Sequence, residues 1–159
     1  MYKNEIKSFR GKYDFLSNFY PCAIIHDGFE YKSLEAAFQA AKCDNLSERL
    51  KFQCLKPEEA KKLGKKIILR SDWETKKLFI LRELIKLKFI GNPDLLNRLL
   101  ETGDAMLIEN NIWHDNFYGN CTCNRCQNIT GFNYLGAALM QLRDQLLHNI
   151  NCFNEKTKF

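Results

Sequence analysis

Tyr31-Lys32-Ser33-Leu34-Glu35-Ala36-Ala37-Phe38-Gln39-Ala40-Ala41-Lys42 is the stretch whose reading decides the fold. Ser33 has the hydroxyl of an N-cap, and the Ala, Leu, Glu and Gln residues after it are strong helix formers, so the pattern predicts a helix opening at Ser33. Leu34, Ala37, Phe38 and Ala41 recur at i, i+3, i+4 and i+7 and draw one apolar stripe. Glu35 and Lys42 lie seven residues apart, which at about 100° per residue gives them nearly the same azimuth at the edge of that stripe. Helical side chains lean toward the N-terminus, so Lys42 is expected to reach back toward Glu35 across roughly two turns. A carboxylate and an amine beside a core stripe suit a site. Read alone, the stretch fits a surface helix with solvated charges better, since charge at a stripe edge is usually solvated.

Working outward, Cys22 to Ile25 and Phe29 to Lys32 read as short strands, with His26-Asp27-Gly28 as the turn that delivers the chain into Ser33. Ile6-Lys7-Ser8-Phe9 alternates and reads as a first strand. Between them Phe15-Leu16-Ser17-Asn18-Phe19-Tyr20-Pro21 mixes aromatics with amides, as either a packed loop or a ligand-binding one. Downstream the chain is mostly helical. Ser47 is placed to cap a segment running to Cys54, and Pro57 opens a helix through Lys62 that ends near Gly64. Asp72 is placed to cap Trp73 to Ile90, whose Leu78, Leu81, Leu84, Ile85 and Phe89 give a wide apolar face. Asn92-Pro93 starts a helix over Asn92 to Thr102, stopped by Gly103, and Met106-Leu107-Ile108 reads as a short buried strand. Glu109 to Gly131 is a long loop whose aromatics argue against disorder. Asn133 opens a last helix with Leu135, Ala138, Leu139, Leu142 and Leu146 inward, where Gly136 lets another backbone or a ligand come close. The expected fold is α+β: a mostly helical single domain over 1–159, with a small sheet from the N-terminal strands and the Met106 strand.

A chain of 159 residues, 45% hydrophobic and 27% charged, has the make-up of one soluble globular domain. Its net charge of +5, with a mild run at Lys61, Lys62, Lys65 and Lys66, favours an anionic ligand such as a phosphate ester but does not by itself point to nucleic acid. No apolar stretch reaches membrane-spanning length and Met1-Tyr2-Lys3-Asn4-Glu5 carries no signal-peptide core, so a cytoplasmic protein without a membrane partner is expected. The odd number of cysteines, seven, points to reduced thiols. Cys121, Cys123 and Cys126 form C-x-C-x-x-C and can fill three corners of a structural zinc site, with His114 or a distant cysteine as the fourth. Free thiols are the alternative, because paired C-x-x-C knuckles are missing. No other cofactor is required.

The set Phe15-Leu16-Ser17-Asn18-Phe19-Tyr20-Pro21, Tyr31-x-Ser33-x-Glu35-x-Ala37-Phe38-Gln39-Ala40-x-Lys42, Trp73-x-x-Lys76, Asn92-Pro93, Leu99-x-x-Thr102-Gly103, Glu109-x-Asn111-x-x-x-Asp115-x-x-Tyr118-Gly119 and Gly131-x-Asn133-x-Leu135-Gly136-x-x-Leu139-Met140-x-x-Arg143 closely resembles the NADAR family. The resemblance runs from about Phe9 to Arg143, and the chain departs from the family pattern at His114 and Tyr118, where Gly and Trp are usual. It implies an N-glycosidase acting on riboflavin-biosynthesis intermediates or removing ADP-ribose from guanine bases. The partner is then a phosphorylated ribosyl or ADP-ribosyl substrate, the latter within a modified nucleic acid. Breaking a ribose C1′–N bond builds oxocarbenium-like charge, which a carboxylate stabilises; Glu35 and Asp115 are the candidates. Lys42 is an alternative nucleophile for the opened sugar. A lysine serves only if desolvation or another cation lowers its pKa, and Glu35 alone raises it, so at the level of sequence water is favoured. Arg10, Lys76 and Arg143 are candidate phosphate partners, and Phe19, Trp113 and Tyr118 candidate stacking residues. The matched motifs add Asn18, Gln39, Asn111 and Gly119 as substrate contacts. A non-catalytic ADP-ribose or nucleotide binder, or a structural interaction protein, would need fewer of these groups: the carboxylate pair separates the enzyme from both.

Overall fold

The structure, a computed structural model, describes residues 4–156, so Met1, Tyr2 and Lys3 of the N-terminal stretch lie outside the described residues. Strand β1 (Glu5–Ile6) leads through a 3-10 turn (Gly11–Leu16) to the hairpin of β2 (Pro21–His26) and β3 (Phe29–Ser33). Its two-residue turn has Asp27 at φ 52° and Gly28 at φ 81°, the left-handed pair that an Asp-Gly dipeptide supplies best. The hairpin runs straight into α1 (Leu34–Ala40), whose start is capped by Ser33 Oγ accepting from the Ala36 amide at 3.1 Å.

Helix α1 is the centre of the molecule rather than a one-sided surface helix: every residue from Leu34 to Ala40 is buried. It packs on α3 (Pro57–Gly64), α4 (Trp73–Ile90), the hairpin and the short α2 (Leu46–Leu50). Small Ala36, Ala37 and Ala40 let those neighbours close in, while Leu34 and Phe38 fill the space between them. Burying each of the two larger side chains is worth about 1.5–3 kcal/mol. A close approach lies at Gly64, where a Cβ would overlap Gln39 Oε1, so a side chain there has to push the Gln39 amide aside.

Helices α5 (Pro93–Leu100) and α6 (Tyr134–Lys156) pack on α4, with strands β4 (Met106–Leu107), β5 (Asn110–Asn111) and β6 (Asn120–Cys121) between them in sequence. Gly136 opens α6 onto β4, since a Cβ there would overlap the Leu107 carbonyl oxygen. The α+β, mostly helical class is as expected, but the strands do not form one sheet. They pair as three two-stranded ladders: β1 parallel with β4, β2 antiparallel with β3, and β5 parallel with β6. Three caps also differ. Asn45, not Ser47, caps α2, which ends at Leu50, short of Cys54. Asp72 is drawn off by the Arg70 guanidinium, and the Asn92 side chain turns back to donate to the Lys88 carbonyl at 2.7 Å.

Lys88, in the middle of α4, is fully buried and donates to the Ser17 carbonyl at 2.7 Å beneath the ring of Tyr20. Burial pushes its pKa down from 10.5 to about 8. Between those values the unfolded chain holds a proton that the folded chain has lost, so stability rises with pH across that window, by about 1.4 kcal/mol for each pH step of one. Chemical denaturation at about pH 7.5 and about pH 10 is expected to show that rise in the wild type and a flatter profile in Lys88→Met. Equal profiles in the two proteins would mean that another group is responsible.

Candidate active site

Most of the residues singled out from sequence converge on a cavity of about 750 Å³. Its wall is built by α1, by the loop before the hairpin, by α3 and by the segment after β4. Glu35, Gln39 and Lys42 come from α1 and the turn that ends it, Arg10, Asn18 and Phe19 from the N-terminal loop, and Trp113, Asp115 and Tyr118 from the long polar loop. The Asn18 carbonyl accepts the Glu35 amide at 2.9 Å, so the loop is stitched to the first turn of α1 at Glu35 itself.

Glu35 is 6% exposed, and its Oε1 accepts from Gln39 Nε2 at 2.8 Å. Burial pushes its pKa up; the Gln39 hydrogen bond and the nearby Lys61 and Lys42 charges only partly oppose this. Lys42 Nζ sits over the rings of Trp73 and Phe38, 5.6 and 5.9 Å from their centroids. Its pKa is lowered, first by burial and further by Lys61, against the pull of Glu35. The condition for a lysine nucleophile, absent when Glu35 alone is considered, is thus met by desolvation. Acid and amine are both shifted toward their neutral forms, one helix face apart.

Asp115 is held by its own turn: Oδ1 accepts the amides of Phe117 and Tyr118, both at 2.9 Å. Asn111 clamps the same residue from β5, donating to the Asp115 carbonyl at 2.7 Å while its Oδ1 accepts the Asp115 amide. Asn111 is therefore a support behind the wall. Gly119 has the same character, since a Cβ would overlap the Glu109 carbonyl oxygen. Tyr118 lines the cavity edge-on to Phe38 at 5.6 Å, and burial pushes its phenol up.

Two proposed phosphate partners lie elsewhere. Arg143 is 0% exposed and donates to the Ala105 carbonyl at 2.8 Å and to Thr102 Oγ1 at 3.1 Å, fastening α6 to the segment before β4. Lys76 projects from α4 over the ring of Phe79, outside the cavity lining. The basic wall comes instead from α3 and its end, where Lys61, Lys62 and Lys65 line the cavity together with Arg10. Lys61 Nζ lies over Phe19 and Trp113, 5.4 and 5.6 Å from their centroids. The signal was the Lys61, Lys62, Lys65 spacing, which puts three amines on one side of a helix. A third carboxyl was also missed as a site group: Glu109, whose pKa is pushed up to about 7 by burial and by the charges of Asp115 and Glu35. A group titrating there can give or take a proton near neutrality.

A model of the NADAR domain matches residues 6–147. The chain is 34% identical over 140 residues to an N-glycosidase of Nostoc punctiforme, covering 84% of this chain and 86% of that protein. It is 34% identical over 170 residues to the chloroplastic riboflavin biosynthesis protein PYRR of Zea mays, covering 94% of this chain but 26% of that longer protein. The NMR structure of the Escherichia coli protein YbiA superposes with a TM-score of 0.78 at 29% identity, covering 100% of this chain and 90% of that one.

Proposed function

This chain belongs to the NADAR domain family, and from that premise we infer that it is a hydrolase acting on N-glycosyl compounds, cleaving the ribose C1′–N bond of a phosphoribosylated pyrimidine intermediate of riboflavin biosynthesis. The observation that carries this reading is the convergence of Glu35, Glu109 and Asp115 with Lys42 in one cavity walled on one side by Lys61, Lys62, Lys65 and Arg10. A binding module has no need of three carboxyls beside a desolvated amine. The basic wall suits the substrate phosphate, and Trp113 with Phe19 suits the base.

The lowered pKa of Lys42 favours a covalent route. In it the glycosylamine opens to an imine and the neutral Lys42 amine adds to C1′. The pyrimidine amine leaves with a proton from the Glu35 carboxyl, leaving the protonated lysine imine of the sugar beside the Glu35 carboxylate. Water then adds to that imine and gives its proton to Glu35, and the open sugar phosphate departs as Lys42 is regenerated. Asp115 and Glu109 face the sugar, stabilising positive charge at C1′ and accepting from its hydroxyls.

The cavity also has room for an ADP-ribosyl group, so the same site could serve ADP-ribosylated guanine. Release of ribose 5-phosphate from the pyrimidine intermediate, assayed beside release of ADP-ribose from modified guanine, is the deciding experiment. The first reaction is expected to run at least about tenfold faster in kcat/KM, a gap of about 1.4 kcal/mol. Cleavage of the guanine adduct alone would move the assignment to the second substrate, and cleavage of neither would overturn the enzyme reading.

A further inference from the structure

The polar loop that carries Trp113 and Asp115 also carries part of a second constellation, outside the cavity lining. His114, Cys121, Cys123 and Cys126 bring one nitrogen and three sulfurs within 4.8 Å of one another. His114 Nδ1 stands 3.3 Å from Cys123 Sγ and 3.2 Å from Cys126 Sγ. In a tetrahedral zinc site with Zn–S of about 2.3 Å and Zn–N of about 2.0–2.1 Å, the N···S edges are about 3.6 Å and the S···S edges about 3.8 Å. The four donor atoms thus stand near the corners such an ion needs, and the longest edge has only about 1 Å to close.

We propose that His114, Cys121, Cys123 and Cys126 bind one zinc ion that staples the polar loop against β6. The donor set is three soft sulfurs and an imidazole, which selects zinc over oxygen-seeking cations. Two N–H groups also face the sulfurs. Asn116 Nδ2 donates to Cys126 Sγ at 3.1 Å, and the Cys123 amide points at Cys121 Sγ at 3.5 Å. Such N–H donors hold ligating sulfurs in place. Cys123 to Cys126 makes the tight knuckle such a site needs, with the Cys126 amide bonded to the Cys123 carbonyl at 2.8 Å. The remaining cysteines, Cys22, Cys43, Cys54 and Cys152, are outside the cluster, so the fourth ligand is His114 and not a distant thiol.

Binding is a proton exchange with no change of oxidation state: zinc displaces the thiol protons of the three cysteines and takes the lone pair of neutral His114 Nδ1, leaving the proton on Nε2. The ion ties β6 to the residue between Trp113 and Asp115, so it fixes a stacking group and a carboxylate from behind without touching the substrate.

Full-length protein purified with a reductant and no chelator is expected to hold close to one zinc per chain by elemental analysis, and the His114→Ala and Cys126→Ser variants at least about fivefold less. Because Cys126 is buried and its variant could fold poorly, the wild type is also stripped and titrated with Co²⁺ alone. Intense thiolate-to-cobalt absorption with tetrahedral d–d bands is expected, lost in the exposed-site variant His114→Ala. Zinc-free protein as isolated that gives no such spectrum on cobalt addition, while retaining native circular dichroism, would overturn the proposal. So would a disulfide between any two of the three cysteines in the reduced preparation. These measurements read metal and thiols, so their failure leaves the glycosidase reading untouched.

Discussion

The Glu35→Gln protein is expected to turn its substrate over at least about 10²-fold more slowly than wild type, the usual cost of losing one preorganised electrostatic or acid–base group. Glutamine keeps the shape and can still accept the Gln39 amide that Glu35 Oε1 now receives at 2.8 Å. What it lacks is the exchangeable proton and the charge. Folding should not suffer. Because burial raises the Glu35 pKa above its ordinary 4.5, the folded chain holds that proton more tightly than the unfolded chain, and Glu35 costs stability as pH rises through the window above 4.5. The substituted amide carries no such cost, so the variant should melt no lower than wild type at neutral pH, and the two should converge in acid. A variant both inactive and at least as stable is the signature of a group kept for chemistry. Near wild-type turnover in Glu35→Gln would falsify the catalytic assignment.

For Lys42→Met the expected loss is of the same order or larger, because the covalent route has no substitute for the amine. Methionine retains an apolar stem of similar length and lacks only the amine that stands over Phe38 and Trp73, so the pocket wall should persist. Borohydride added during turnover should trap wild-type protein as a reduced adduct carrying the open sugar phosphate, mapped by peptide mass to Lys42, and should leave the Met variant unlabelled. Activity in Lys42→Met within about threefold of wild type, together with no adduct in the wild type, would assign the attack to water and leave Lys42 as a charge near Glu35.

Much of this frame was readable from local rules. Ser33 and the alanine-rich run after it define α1, Asp27-Gly28 defines the hairpin, and Pro57, Pro93 and Asn133 mark helix starts. What local rules could not supply is which charged residues the tertiary fold buries. A long basic side chain on a helix is usually solvated, yet Arg143 and Lys88 are both 0% exposed here because distant carbonyls, of Ala105 and Ser17, wait for them. The reverse happened on α3. Its lysines read from sequence as a mild basic run favouring an anionic ligand, and only the α1–α3 crossing turns them toward the cavity. Glu109 followed a strand of only two residues, too short for periodicity to say which way it faced. The caps at Asp72 and Asn92 failed for a related reason: each side chain found a stronger partner off the helix end.

The bare α-carbon of Gly64 has a consequence for how mutational maps of this protein will look. Any side chain there meets the Gln39 amide at once, and Gln39 is the residue bonded to Glu35. A swap at position 64 would therefore register in an activity screen among the strongest hits, beside the acid itself, although Gly64 is no part of the cavity lining. A scan scored only on turnover would draw the active site one layer too wide. Paired with a substrate-binding readout, the same scan would separate a disturbed wall from a missing proton: Gly64 variants should lose both signals, Glu35 variants only turnover.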